Sequence, residues 1–133
     1  MGKYNSLSHS KTRLHYHIVL ATKYRKKVLN LIECEEIIKE SVSQCQGTQL
    51  RDYGVENTYD HIHLVISLKP SVSIGSFVKR FKQLSTHKAW AENAVELGKV
   101  YWGNKKRLWS SGYFAESLGC VSEDIVLEYV KNQ

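Results

Sequence analysis

The clearest pattern of apolar and polar positions in the chain covers residues 59–68. Every second residue from position 62 to position 68 is Ile or Leu, which predicts a β-strand that buries one face. The opposite face then carries His61 and His63. Two imidazoles on one face of a strand lie close enough to share a metal ion, and imidazole is the commonest protein metal ligand. Spacing alone leaves a rival, because His15 and His17 form the same pattern on another predicted strand.

The remaining pattern predicts an alternation of strands and helices. We expect a strand over residues 13–21, a helix over residues 30–45, a strand over residues 49–57, and a helix that Ser71 or Ser73 caps, with an apolar stripe over residues 74–84. Residues 92–112 are predicted to be irregular, residues 113–118 to form a short strand, and Ser122 to cap a last helix that carries Tyr129.

This order predicts an α+β fold. A βαββαβ arrangement is typical of the ferredoxin-like, RRM-like sandwich, in which helices cover one face of an antiparallel sheet. The last helix would be an addition to that core. At 133 residues, we expect one domain over residues 1–133.

Composition and charge narrow the class of partner. The net charge is +6 and the isoelectric point is near 9.2, which favours an anionic partner, nucleic acid first. An unspecialised basic surface is the alternative. We expect no membrane span and no signal peptide, because no long apolar run is present. Three cysteines without close pairing fit reduced thiols in a cytoplasmic protein.

Basic and aromatic residues gather in three places that suit nucleic acid. They follow the first strand, occupy the polar face of the second long helix, and lie between two tryptophans, Trp102 and Trp109. Such side chains can contact phosphates and stack on bases, although solvated charge and core packing are the alternatives. The candidate contacts are Lys23, Tyr24, Arg25, Lys79, Arg80, Lys82, Lys105 and Arg107.

Three stretches together resemble a known family. Asp60-His61-Ile62-His63-Leu64-Val65 is similar to the histidine–hydrophobic–histidine (HUH) motif of the small single-tyrosine transposases of bacterial and archaeal insertion sequences. Residues 108–114 and 121–133 resemble the second block of that family, and residues 17–25 resemble its first strand and turn. The resemblance covers nearly the whole chain from residue 13, and His15 and His17 do not occupy the motif position.

The resemblance implies a site and a reaction. His61 and His63 would bind a divalent metal, Mg²⁺ or Mn²⁺, with the amide oxygen of Gln133 as the third ligand. Tyr129 would attack single-stranded DNA and leave a 5′-phosphotyrosine and a free 3′-hydroxyl. The family binds hairpins at the ends of its element and acts as a homodimer, in which the tyrosine helix of one subunit serves the metal site of the other. Asp60 would orient His61 without binding the metal itself, or would cap a turn.

Two other functions stay open. A replication or relaxase-type nickase would use the same chemistry, although such chains are usually longer and often carry paired tyrosines. A non-catalytic nucleic-acid-binding module of RRM-like fold would need neither metal nor nucleophile. In that case Tyr129 would be an ordinary core tyrosine of an amphipathic helix.

Overall fold

The computed structural model describes residues 13–103, 105–119 and 128–131. In chain order, the named helices and strands of these residues are β1 (Leu14–Ala21), α1 (Cys34–Ser43), β2 (Thr48–Val55), β3 (His61–Leu68), α2 (Ile74–Val100) and β4 (Phe114–Gly119). A 3-10 turn, Lys23–Arg25, follows β1, and residues 128–131 are helical. The predicted α+β class is confirmed.

The four strands form one antiparallel sheet with the order β2-β3-β1-β4. β1 and β3 are therefore the central pair. Their register runs from Leu14 opposite Leu68 to Ala21 opposite His61. Because side chains alternate between the faces of a strand, this register decides which residues of the two strands become neighbours on each face.

One face of the sheet carries the core. Ile18, Leu20, Ile62, Leu64, Ile66 and Leu68 are fully buried there. Phe77 and Phe81 of α2 belong to the same apolar cluster, with ring centroids 5.9 Å apart, and Ile37 and Ile38 of α1 join it. Both helices thus cover this face, which leaves the other face for polar chemistry.

Helix α2 is longer than its sequence pattern predicts. Ser73 caps it as expected, since its Oγ accepts a hydrogen bond from the Ser76 backbone N–H at 3.1 Å. The helix then continues to Val100, so the prediction that residues 92–100 are irregular was wrong. Asn93 departs from helical angles, but Leu97 is fully buried beyond it. Burial of this last turn outweighs the local sequence signals.

Helix α1 begins later than predicted. It starts at Cys34 rather than near Asn30, and no side chain caps its first turn. Val28, Leu29 and Ile32 are buried in the preceding segment, so that segment packs into the core as a turn. Cys34 and Cys45 are free thiols, whereas Cys120 lies outside the described residues. Within the described part of the chain, no helix is long and apolar enough to cross a bilayer.

The predicted helix from Ser122 lies mostly outside the described residues, as does Gln133. Of that segment, only residues 128–131 can be placed, and they include Tyr129.

Truncation of Phe81 tests the account of the core. Phe81 is fully buried, so Phe81→Ala should lower the free energy of unfolding by about 3–5 kcal/mol in urea denaturation. Val95 lies on the same helix and is 69% exposed. Val95→Ala is therefore the matched control, and an equal loss in both variants would contradict this assignment of the core.

Candidate metal centre and tyrosine site

His61 and His63 extend from β3 on the face opposite the core. Their side chains are 23% and 28% exposed, so a small ion can reach them. Further along the same face Val65 and Ser67 are buried, and His15 is buried beside Ser67, with 2.7 Å between His15 Nδ1 and Ser67 Oγ. His15 of the rival pair therefore lies at the buried end of this face, whereas His61 and His63 lie at its accessible end.

Glu56 joins the two histidines, and the sequence analysis did not identify it. One ligand atom from each of Glu56, His61 and His63 lies within 4.8 Å of the other two. Glu56 Oε1 is 2.9 Å from His63 Nε2 and 3.7 Å from His61 Nε2. The hairpin between β2 and β3 brings it there, because the Glu56 backbone N–H donates to the His61 carbonyl oxygen at 3.1 Å. The sequence signal that could have identified Glu56 is an acidic residue shortly before the His-x-His motif, across a short hairpin from it.

Asp60 controls the orientation of His61. Its Oδ1 lies 2.8 Å from His61 Nδ1, and a carboxylate there accepts the N–H and leaves Nε2 with a free lone pair. Thr58 donates to the same oxygen at 2.5 Å, and Arg25 forms an ion pair with Oδ2 at 3.3 Å. The hydrogen bonds from Thr58 and His61 are the main reason that the pKa of Asp60 falls to about 2. Asp60 is therefore ionised at neutral pH.

His17 connects the candidate metal ligands to Tyr129. The Nε2 atom of His17 is 2.9 Å from His63 Nδ1, and the two rings stack with centroids 5.1 Å apart. The Tyr129 hydroxyl oxygen is 2.9 Å from His17 Nδ1. The sequence analysis assigned His17 only to the first strand, because the contact depends on the register of β1 against β3.

Glu116 is a further polar group near His17 and Tyr129. It pairs with His17 across β1 and β4, and its Oε2 lies 3.8 Å from His17 Nδ1. Burial, and after it the charge and hydrogen bond of Glu116, raise the pKa of Tyr129 above its usual value near 10. The phenol is therefore neutral at physiological pH.

A cleft of about 490 Å³ lies beside this site, and its lining includes His17, Glu56, His63 and Val130. Gly54 lies opposite His63 in the pairing of β2 with β3. A Cβ at Gly54 would meet nothing within 4 Å. The missing side chain therefore keeps the cleft open beside His63.

The donor set fits a divalent metal. Two imidazole nitrogens and a carboxylate oxygen are ligands that several divalent ions accept. Once the Nδ1 of each histidine holds its hydrogen, the Nε2 lone pair of His63 faces the Glu56 carboxylate at 2.9 Å. Two acceptors at that distance repel each other unless a cation or a proton lies between them. Gln133, the ligand that the resemblance implies, lies outside the described residues.

The structure brings several candidate nucleic-acid contacts together. Lys23, Lys82, Lys105 and Arg107 line a cavity of about 260 Å³. A second cavity of about 410 Å³ is lined by Tyr24, Lys26, Val100, Tyr101, Trp102 and Arg107. The Tyr24 and Trp102 side chains are 65% and 76% exposed, and cations lie over both rings.

Some of the candidate nucleic-acid contacts, Lys82 among them, already have partners in the protein. Arg25 pairs with Asp60. The Lys82 ammonium donates to the carbonyl oxygens of Ser110 and Gly112 at 2.9 and 2.7 Å, and burial lowers its pKa. Lys79 and Arg80 are exposed on α2. The indole of Trp109 donates to Ser85 Oγ at 2.8 Å, which agrees with the packing alternative for that tryptophan.

The fold and site together define an α+β protein with a histidine–carboxylate centre next to a tyrosine. Residues 10–133 match the family described as "Transposase IS200 like". The chain belongs to this transposase family, a family of DNA-modifying enzymes.

Individual relatives agree with the family match. The chain is 28% identical over 133 residues to the transposase for insertion sequence element IS200 of Salmonella typhimurium, which covers 100% of this chain and 85% of that protein. It is 26% identical over 122 residues to the ISDra2 transposase TnpA of Deinococcus radiodurans, with 91% and 84% covered.

Solved structures agree as well. A Deinococcus radiodurans R1 protein assigned as a transposase, with a crystal structure at 1.90 Å, superimposes with a TM-score of 0.67 at 30% identity and 91% coverage of both chains. A REP-associated tyrosine transposase bound to a REP hairpin has a TM-score of 0.55 at 13% identity, over 89% of this chain and 62% of that one. The second likeness shows the fold alone.

Removal of Glu56 tests its place in the metal centre. Glu56→Ala should weaken Mn²⁺ binding by about tenfold or more in calorimetry, and His61→Ala and His63→Ala should do the same. Glu116→Ala is the matched control, because Glu116 borders the site but is not part of the ligand group. His15→Ala should also leave binding unchanged. Equal affinity in Glu56→Ala and Glu116→Ala would remove Glu56 from the centre.

Proposed function

We propose that this protein is a transposase that cleaves and rejoins single-stranded DNA at the ends of its insertion sequence, with Tyr129 as the nucleophile. One observation carries the proposal: the Tyr129 hydroxyl is joined through His17 to His63, a residue of the metal-binding group. The domain would span residues 1–133 and act in the cytoplasm as a homodimer. Tyr129 lies beside His17 of its own chain, an arrangement that would allow action within a subunit.

The reaction is a transesterification. The Tyr129 oxygen attacks the phosphorus, its bond to phosphorus forms, and the bond from phosphorus to the 3′ oxygen breaks. The phenol proton passes to a nearby acceptor, and the leaving oxygen takes up a proton to become a 3′-hydroxyl. Attack by a 3′-hydroxyl on the phosphotyrosine reverses the sequence. The phosphodiester energy is conserved throughout, so no nucleotide cofactor is needed.

His61 and His63 would hold the divalent metal, Mg²⁺ or Mn²⁺, with Glu56 and with Gln133 if it reaches the site. A bound metal supplies charge neutralisation at the non-bridging phosphate oxygens. Two neutral imidazoles leave most of its positive charge for the phosphate. Because the pKa of Tyr129 is raised, orientation must supply much of the rate, and a phenol held beside the centre meets that need.

The DNA would extend from the metal centre along the turn Lys23–Arg25. Arg25 of this turn forms an ion pair with Asp60, the residue before His61, so the turn adjoins the metal centre. Beyond it, Tyr24 and Trp102 offer faces to unpaired bases, while Lys23, Lys105 and Arg107 offer charge to phosphates. We propose that Arg25, Lys79, Arg80 and Lys82 add to the positive potential that attracts the DNA and its hairpin ends.

Tyr129→Phe tests the nucleophile. With labelled single-stranded DNA from the flanks of its own gene and Mg²⁺ or Mn²⁺, the wild type should form a covalent adduct that denaturing gels resolve. Tyr129→Phe should form none, because the attacking oxygen is gone, and should bind the DNA with nearly unchanged affinity. Tyr113→Phe, which removes another partly exposed hydroxyl, should behave as wild type. An adduct in Tyr129→Phe would sink the assignment, and a wild type that binds without any adduct would favour the non-catalytic module.

The salt dependence of DNA binding tests the proposed path. Arg107→Ala should reduce the slope of log K against log salt by about 0.7, the value for one phosphate contact on a single strand. Trp102→Ala should leave the slope unchanged while it costs about 1–3 kcal/mol of binding free energy, because stacking releases no counterions. Arg80→Ala is the matched arginine away from both cavities. An Arg80 effect larger than that of Arg107 would place the path elsewhere.

A further inference from the structure

The proposed reaction leaves His17 without a role, although this residue lies between the nucleophile and the metal centre. The Nδ1 atom of His17 is 2.9 Å from the Tyr129 hydroxyl, and Nε2 is 2.9 Å from His63 Nδ1. His63 in turn presents its Nε2 to Glu56 at 2.9 Å. The four groups therefore form one continuous hydrogen-bonded chain.

The chemistry of imidazole restricts how the hydrogens can lie in this chain. A neutral imidazole has one N–H and one lone pair, so its two ring nitrogens must take opposite roles. Two such rings in series leave only two consistent arrangements. In the first, His63 donates from Nε2 to Glu56, His17 donates from Nε2 to His63, and the Tyr129 hydroxyl donates to His17 Nδ1.

A metal at His63 Nε2 permits only the second arrangement. His63 then holds its hydrogen on Nδ1 and donates it to His17 Nε2. His17 therefore holds its hydrogen on Nδ1 and donates it to the Tyr129 oxygen. The hydroxyl hydrogen has to turn to another acceptor, and the Glu116 carboxylate, whose Oε2 lies 3.8 Å from the same His17 Nδ1, can only accept. Both rings stay neutral, and no proton is gained or lost.

We propose that His17 is a positioning residue that couples metal binding at His63 to the orientation of the Tyr129 hydroxyl. The coupling rests on the proposed function for its biological meaning, since it matters only if Tyr129 is the nucleophile. When the metal is bound, the phenol hydrogen points to Glu116, so the proton that must leave during attack already has an acceptor. Metal binding thereby prepares Tyr129 before DNA arrives.

Fluorine NMR of fluorotyrosine-labelled protein follows this hydroxyl without any reaction. The chain has eight tyrosines, and the Tyr129 resonance is the one that Tyr129→Phe removes. Saturating Mg²⁺ should shift this resonance in the wild type. The control is His15→Asn, a change in the same strand at a histidine that contacts Ser67, and it should keep the full shift.

Two isosteric changes break the chain at different points. His17→Asn keeps a polar atom near the Nδ1 position, so it can still contact Tyr129 but loses the contact with His63. His17→Gln keeps a polar atom near the Nε2 position, so it can still contact His63 but loses the contact with Tyr129. Both His17→Asn and His17→Gln should still bind Mg²⁺ in calorimetry and should lose the shift. Adduct formation should slow by up to about 100-fold at an unchanged KM for DNA, as expected for a misoriented nucleophile. The His17 side chain is on the face opposite the core, and either variant that folds suffices.

The outcomes of these experiments distinguish the coupling through His17 from the phosphotyrosine reaction proposed above. A wild-type resonance that ignores Mg²⁺, or a full shift in either His17 variant, overturns the coupling. A wild type that shows the shift but forms no adduct overturns the phosphotyrosine chemistry and leaves the coupling intact. Loss of the shift in each His17 variant that folds, with Mg²⁺ binding retained, supports the role of His17.

Discussion

The site depends on the pairing of β1 with β3 in the centre of the sheet. That register sets His17 opposite Val65 and diagonally across from His63 on the same face. His17 Nε2 and His63 Nδ1 are therefore 2.9 Å apart. A slip of one residue would turn every side chain of β1 to the other face. The buried Ile and Leu residues on the core face of both strands prevent such a slip. The core that stabilises the fold therefore also aligns the hydrogen-bonded chain on the opposite face.

The second constraint is the hairpin between β2 and β3. It returns the chain so tightly that the Glu56 backbone N–H donates to the His61 carbonyl oxygen, and Tyr59 adopts a left-handed conformation within it, at φ 57°. The same turn presents the Asp60 carboxylate to His61 Nδ1. The turn thus holds His61 through Nδ1 and leaves its Nε2 for a metal.

Charge is arranged in two zones that suit different parts of a nucleic acid. Beside the histidines lie Glu56 and Asp60, which favour a bound cation. The cations around Lys23 and Arg107 line separate cavities, where they favour phosphates. A protein with two such separate zones can hold a metal and a polyanion without direct competition between them.

The periodicity of the chain determined the strands, the core face and the position of His61 and His63, because local alternation is a property of neighbouring residues. It could not determine that His17 reaches Tyr129 or that carbonyl oxygens bind the Lys82 ammonium, since these contacts join residues far apart in the chain. Glu56 is close to the motif in the chain, but its contact with the histidines depends on the backbone geometry of the hairpin. Nor could the periodicity extend α2 to Val100, where burial of Leu97 decided the outcome. Local pattern specifies which face a side chain takes, whereas sheet register and helix packing decide which side chains meet.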